Sequence, residues 1–315
     1  MQHDFVSTKS KKDHMIRIIL NGKKAGLNKI RSAVSILRKE SSRIEVRVTW
    51  EHGDGERLVN EASQDGIQRI VAAGGDGTLN EIVNGMAKLD NKKCPELAIM
   101  PLGTANDFAT ACKIPLNPSD ALRLAVHGTA QAIDIVQAND KYFVNVASGG
   151  FGAQVAANTP VQLKNFLGGG AYALSAVVKS LTFTHSQGRL SAQDIDMEGS
   201  AIMGAVCNGR QAGGGQILAP DAYINDGLLD VMIILTFPFT DVSQVIQEIL
   251  NPSSEGKYVK RFRTKWVESW PQQTSSVNLD GEPYNANHIR FDVLPKKIQL
   301  VIPKDCPCII RSAFK

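Results

Sequence analysis

Residues 70–86 constrain this chain more than any other stretch. Ile70-Val71-Ala72-Ala73 is apolar throughout and stops at Gly74-Gly75, the pattern of a short strand buried on both faces. Beyond the turn, Leu79, Ile82, Val83 and Met86 recur at i, i+3, i+4 and i+7, one apolar face of a helix. Thr78 with Glu81 three residues on has the spacing of a capping box and predicts a helix start at that point. Strand, glycine turn and helix N-terminus together let the backbone approach a bulky ligand. The free N–H groups and the helix dipole favour an anion there, and phosphate suits the geometry best. No Gly-Lys-Ser/Thr follows, and the spacing is not G-x-G-x-x-G, so neither a Walker loop nor a dinucleotide fingerprint is present. Taken alone, the stretch reads equally as a tight βα turn.

A second element of the same kind follows. Leu97-Ala98-Ile99-Met100 is an apolar strand, and Pro101-Leu102-Gly103-Thr104-Ala105-Asn106-Asp107-Phe108-Ala109 is its polar exit. In a parallel sheet both turns open at the same carboxyl edge, where ligands bind.

Gly74-Gly75-Asp76-Gly77-Thr78 followed by Leu102-Gly103-Thr104-Ala105-Asn106-Asp107-Phe108-Ala109 resembles the nucleotide site of the diacylglycerol/sphingosine kinase catalytic fold. Within that fold the chain is most similar to the bacterial YegS-type lipid kinases, from about Ile16 onward. The resemblance implies ATP at Gly74, Gly75, Asp76, Gly77, Thr78, Leu79, Asn80 and Glu81, framed by Thr104 and Asn106. It also sets the hydroxyl of Thr49 near the nucleotide; a plain strand-end turn explains Thr49 equally well. The family usually carries Asn-Pro where this chain has Asn21-Gly22-Lys23-Lys24-Ala25-Gly26.

The length of 315 residues with 43% hydrophobic content favours two domains with ample core. A net charge of +4 is too weak to argue for nucleic acid and is compatible with brief contact with an anionic membrane face. Five cysteines without a C-x-x-C pair indicate a reduced, cytoplasmic chain, and Cys306 with Cys308 alone does not make a four-ligand zinc site. Residues 1–14 read as a loose polar tail, neither signal peptide nor membrane span.

The pattern β-α-β-α-β-α-β from Met15 to Pro101 predicts an open parallel sheet with helices on both faces. A helix over 120–126 and a strand over 130–136 close this nucleotide domain, residues 15–136, completed by residues 303–315. Residues 137–302 form a β-rich domain, a sandwich or distorted barrel, with strands over 142–147, 201–207, 228–235, 277–279, 289–294 and 298–302. Val242, Val245, Ile246, Ile249 and Leu250 predict a core-facing helix. Gly170 to Leu181 is the longest apolar helix candidate, too short for a bilayer, which needs ~20 residues. It reads as a core helix, or as the lining of a lipid pocket. The active site is expected in the cleft between the domains.

Three segments of the second half extend the resemblance. Asn145-Val146-Ala147-Ser148-Gly149-Gly150-Phe151-Gly152 is similar to the family's N-x-x-x-G-G-F/W-G, a glycine segment able to admit a substrate head group, or else a bulge. In Asn208-Gly209-Arg210, the arginine is either a phosphate fork or an ordinary loop residue. In Pro220 to Asp230, Asn225-Asp226-Gly227 is a hairpin-turn signal, and the resemblance implies a cation, Mg2+ or Ca2+, on Asp226 and the carbonyls of Tyr223 and Leu228; both can hold at once. One carboxylate with carbonyls and water fits a hard ion.

Asn278-Leu279-Asp280-Gly281-Glu282-Pro283 completes the set. Along an extended chain Asp280 and Glu282 share one face. A kinase acting on an alcohol needs a carboxylate to orient the hydroxyl and accept its proton. The resemblance sets that base in the D-G-E turn, with Glu282 favoured and Asp280 orienting or binding metal. The expectation is an ATP- and Mg2+-dependent kinase of a membrane lipid such as phosphatidylglycerol or diacylglycerol, working at the inner membrane face. NAD kinases share the first turn, and a chain that has lost catalysis is the remaining alternative.

Overall fold

The structure, a computed structural model, describes residues 15–39, 43–150, 186–251 and 256–311. The candidate helix 170–181 and residues Phe151 and Gly152 of the glycine segment lie outside them. The first half alternates strand and helix: β1 (Met15–Asn21), α1 (Asn28–Lys39), β2 (Arg43–Thr49), α2 (Asp54–Gln64), β3 (Arg69–Gly74), α3 (Asp76–Ala87) and β4 (Glu96–Pro101). The strands lie in the order β2-β1-β3-β4, all parallel, with Ile18 beside Val71 and Val71 beside Ala98. Period-two alternation splits their apolar side chains between two cores. Ile16, Ile18, Val71 and Met100 pack with Ile30 and Leu37 of α1, and with Leu122 of α5 (Pro118–His127). Ile19, Ile70, Ala72 and Ile99 pack with Leu58 of α2 and Ile82 and Met86 of α3. Both faces are covered, as all-parallel sheets require.

The second half is antiparallel. It contains β5 (Ala130–Ala138), β6 (Lys141–Phe143), β7 (Val146–Gly150), β8 (Ser186–Ala192), β9 (Ile195–Cys207), a small ribbon of β10 (Gln211–Ala212) and β11 (Gln216–Ile217), and β12 (Leu229–Leu235). After α6 (Val242–Leu250) come β13 (Val259–Thr264), β14 (Trp266–Pro271), β15 (Ser275–Leu279), β16 (Glu282–Ala286) and β17 (Ile289–Val301). Phe143, Val231, Ile233, Val267 and Phe291 form its inner core, with the rings of Phe143 and Phe291 edge-to-face at 6.1 Å. Val245 of α6 packs with Phe237 and Tyr258 on the outer face, but Leu250 is exposed, so the core-facing stripe ends one residue early. No helix among the described residues is long and apolar enough to cross a membrane.

Three sequence expectations change here. The strand expected over 142–147 is broken at Val144-Asn145 into β6 and β7, because those backbone N–H groups turn to a carboxylate instead of a neighbouring strand. The two strands expected over 289–294 and 298–302 are one, β17, carrying a register shift between Leu294 and Ile298. Lys296 absorbs the bulge with φ 55°, and its N–H is held by Asp134 Oδ1 at 2.7 Å.

The third change is that β17 belongs to both halves. One side pairs with β5 along its length, from Phe291 opposite Ala138 to Val301 opposite Ala130. Its other side pairs antiparallel with β14 before the bulge and parallel with β4 after it, where Leu300 meets Leu97. Ile298, Leu300, Ile302, Cys306, Cys308 and Ile309 then enter the core under α2 and α3.

Candidate active site

The first glycine turn lies where β3 gives way to α3. The helix starts at Asp76 with Gly75 as N-cap, and no side chain caps it. The expected capping box is therefore not formed. Thr78 is already inside the helix, and its hydroxyl accepts from Asn21 Nδ2 at 3.0 Å. Glu81 instead reaches the start of α2, accepting from Gly55 N at 3.1 Å and pairing with His52 Nδ1 at 3.0 Å. Leu79 is core, and Asn80 is buried and donates to Tyr142 O at 3.2 Å. The side chains of Leu79, Asn80 and Glu81 thus fasten α3 to its surroundings, and the open part of the turn is Gly75, Asp76 and Gly77.

The second turn presses on the first. Leu102 N donates to Gly74 O at 2.7 Å, and a Cβ on Gly103 would lie 2.6 Å from Gly75 Cα. Glycine at 103 is required for this approach, and a Cβ at 75 would be tight, 3.1 Å from Gly103 Cα. Asn106 adopts the left-handed conformation, φ 50°, and clasps the turn: its Oδ1 accepts from Gly103 N and its Nδ2 donates to Gly103 O, both at 2.9 Å. Its own N–H goes to Asp76 Oδ2 at 3.1 Å. Thr104 is exposed beside it. Thr49, at the end of β2, takes the N–H of Gly22 at 3.4 Å. Thr49, Asp76, Thr104 and Asn106 all sit at or just beyond the carboxyl ends of β2, β3 and β4.

The second half supplies the opposite wall. Asp280 and Gly281 form a two-residue hairpin turn between β15 and β16, with φ 51° and 104°. Those positive angles overturn the expectation that Asp280 and Glu282 share a face. Asp280 turns inward and accepts from Val144 N at 2.8 Å, Asn145 N at 3.0 Å and Val146 N at 2.9 Å. Glu282 is exposed and turns to the first glycine turn, its Oε1 2.9 Å from where a Cβ on Gly77 would sit.

The electrostatics follow from this crowding. Burial, with the charges of Asp107 and Asp280 nearby, pushes the Asp76 carboxyl up to about 6 against the pull of the Asn106 N–H. Burial likewise pushes Asp280 up to about 6, although three backbone N–H groups favour its ionised form. Asp107, the first residue of the short helix α4 (Asp107–Ala111), binds Gly214 N at 2.9 Å and Gly215 N at 2.6 Å. It ties the second turn to the loop after β9. The sequence alone assigns Asp107 no role; Asn106-Asp107 directly before Phe108-Ala109 is its one local sign, that of a helix start.

Two other expectations fall differently. Arg210 is not a phosphate fork: it donates to Ala222 O and to Pro307 O, each at 2.8 Å, and stacks over the Tyr223 ring. Asp226 lies on the loop before β12, its Oδ1 held by Leu228 N at 3.0 Å and its Oδ2 by the Arg263 guanidinium. One carboxylate with the carbonyls of Tyr223 and Leu228 has the chemistry of a hard-cation site, but a cation there must displace Arg263. Between the turns, by contrast, Asp76 and Asp280 are two carboxyls close enough that the charge of one acts on the other, a donor set that suits a divalent ion.

Comparison with known proteins agrees with this architecture. Residues 15–138 match the diacylglycerol kinase catalytic domain family, and residues 145–302 match the YegS C-terminal NAD kinase beta sandwich-like domain. A Shewanella frigidimarina protein named "Probable lipid kinase YegS-like" is 48% identical over 95% of this chain and 97% of its own length. Proteins of the same name from Chromohalobacter salexigens and Yersinia enterocolitica are 44% and 42% identical, over 91% and 92% of this chain and 93% and 97% of theirs. A solved structure from Bacillus anthracis str. Sterne shares the fold with a TM-score of 0.81 at 24% identity, covering 96% of this chain and 100% of that one. A diacylglycerol kinase structure from the same organism reaches 0.73 at 21% identity, over 94% and 99%. The chain belongs to the YegS-like lipid kinase family, and its activity to the phosphotransferases whose acceptor is an alcohol.

Proposed function

We propose that this kinase transfers the γ-phosphoryl group of ATP to a hydroxyl of a membrane glycerolipid, diacylglycerol or phosphatidylglycerol, with Glu282 as general base. The observation that carries this reading is the Glu282 carboxylate standing over Gly77, at the N-terminus of α3. Backbone N–H groups of the Gly75–Gly77 turn and the α3 dipole hold the donor's phosphates. Thr49, Thr104 and Asn106 border the nucleotide at the same edge. Mg2+, when bound, neutralises phosphate charge, and Asp76 and Asp280 are the residues we assign to hold it; a second cation position at Asp226, Tyr223 and Leu228 competes with Arg263.

Glu282 accepts the proton of the lipid hydroxyl as its oxygen bonds to phosphorus and the bond from phosphorus to the ADP oxygen breaks. Being exposed, Glu282 is reachable by an acceptor that arrives from a lipid surface. Asp280, held by three N–H groups, keeps the turn that aims it. For the acyl chains, the β-rich half holds an apolar cavity of about 220 Å³ lined in part by Ala147, Leu190, Met197, Ile202, Ile233 and Val277. Val277 belongs to β15, which leads into the D-G-E turn, and Ala147 to β7, which pairs with β15. The enzyme then works at the cytoplasmic membrane face through transient contact.

The test is transfer of label from ATP to diacylglycerol or phosphatidylglycerol in mixed micelles, with NAD as control acceptor, by the native chain and by Glu282→Gln. Labelled lipid and no labelled NAD is expected. Glu282→Gln should lower kcat ~10²–10⁴-fold at nearly unchanged ATP affinity. Transfer to NAD alone, or a Glu282→Gln variant of native rate, overturns the reading.

A further inference from the structure

Cys306 and Cys308 acquire a third partner in the fold. The sulfur atoms of Cys112, Cys306 and Cys308 all lie within 4.8 Å of one another, and all three residues are buried. They come from segments nearly 200 residues apart: Cys112 is the C-cap of α4, while Cys306 and Cys308 follow β17 on the turn that Cys306 N closes onto Pro303 O at 3.2 Å. We propose that these three thiols form a binding site for one thiophilic d10 metal ion, of which Zn2+ is the test case, that clamps the C-terminal segment to α4.

The chemistry of the surroundings argues for an ion of that class. Soft thiolates select such metals over Mg2+ or Ca2+, and zinc takes sulfur ligands at ~2.3 Å, so one ion bridges sulfurs that lie within 4.8 Å of one another. A fourth ligand is at hand in the Ala111 carbonyl, to which the Cys308 thiol donates at 3.2 Å. Binding releases to solvent the protons of those sulfurs that are still thiols, and it involves no redox step. Three thiolates on a divalent ion leave one negative charge, and the Arg210 guanidinium stands ready for it, donating at 2.8 Å to the carbonyl of Pro307 between the two cysteines. The segment is held from the other side too, with Cys308 O accepting from Ile224 N at 2.9 Å and Asn225 bonded twice to Ile310. The frame therefore stands before the ion arrives.

The position matters for the reaction. The five-residue helix α4 has Cys112 at one end and Asp107 at the other, and Asp107 binds Gly214 and Gly215 beside the second glycine turn. An ion at the three sulfurs stiffens the helix that holds this turn.

The experiment uses the full chain, purified with reductant and stripped by chelator. Titration with Cd2+ or Co2+ should give thiolate-to-metal charge-transfer absorption that saturates at one equivalent, and Zn2+ should displace the probe. Zn2+ should raise Tm, and proton release should accompany binding. Cys112→Ser, Cys306→Ser and Cys308→Ser should each weaken binding tenfold or more, while Cys94→Ser, the control, binds as the native chain does. Cys308→Ser keeps the test open if Cys112→Ser fails to fold. No charge-transfer band, equal affinity in Cys308→Ser, or fewer than the five free thiols of the chain on counting in denaturant would each overturn the proposal, the last in favour of a disulfide.

Discussion

The carboxylate of Glu282 overhangs the α-carbon of Gly77, close enough that a Cβ at position 77 would come within 2.9 Å of its Oε1. Gly77 needs no left-handed backbone, since it sits in the first turn of α3, where alanine is the better helix former by roughly 1 kcal/mol. Its value is the room it leaves for Glu282. Gly77→Ala should therefore keep or slightly raise Tm while lowering kcat at least tenfold, because a displaced base lies off the acceptor's proton. A calorimetric scan beside a rate measurement decides it, and native turnover in this variant would detach Glu282 from the reaction.

Asp76 links activity to a stability cost. Its carboxyl is raised from 3.8 to about 6 on folding, so the fold favours its protonated form. That advantage is complete below pH 3.8 and lost as pH rises through 6, leaving a penalty on the order of 1–3 kcal/mol at neutral pH. Asp76→Asn retains an acceptor for Asn106 N and escapes the penalty. In the absence of nucleotide it should be more stable than the native chain at pH 8 and equal to it near pH 4, yet inactive. Equal melting temperatures at pH 8 would show the raised carboxyl to be wrongly read.

Asp280 and Glu282 differ in kind. Asp280→Ala leaves three backbone N–H groups without their acceptor, and one such group costs ~1–3 kcal/mol. A large fall in Tm without any ligand is expected, with Asp280→Asn intermediate. Glu282→Gln, at an exposed position, should melt within a degree or two of the native chain. Similar melting of all three would remove the anchoring role of Asp280.

At the Asp226 loop, guanidinium and cation compete for one carboxylate. Arg263→Ala should lower Tm in chelator, since the half-buried ion pair is lost, and millimolar Mg2+ should restore it by occupying the vacated carboxylate. A loss that Mg2+ leaves untouched assigns Asp226 to Arg263 alone.

Much of the nucleotide half was legible because its rules are local. Ile70 to Ala73 reads as a buried strand from four consecutive apolar residues, and Leu79 to Met86 as a helix from spacing alone. What sequence hides is whatever depends on distant partners. Thr78 and Glu81 have capping-box spacing, but Asn21 and Gly55 capture their side chains from 57 and 26 residues away. The break at Val144-Asn145 has no local cause; it is imposed by Asp280, 136 and 135 residues on. Arg210 looks like a phosphate ligand until Ala222 and Pro307 are brought to it.

The strand shared by both halves carries a consequence for biosynthesis. Ile298 to Val301 fill the slot between β4 and β5, so the nucleotide half lacks an interior strand until those residues have left the ribosome. Before then β4 presents an open apolar edge, the kind of edge that invites pairing with other chains. This half cannot fold to completion before residues 298–301 are made, and a chain stopped short of Ile298 is condemned to expose that edge. Both halves reach their final form in one event, when β17 is threaded home.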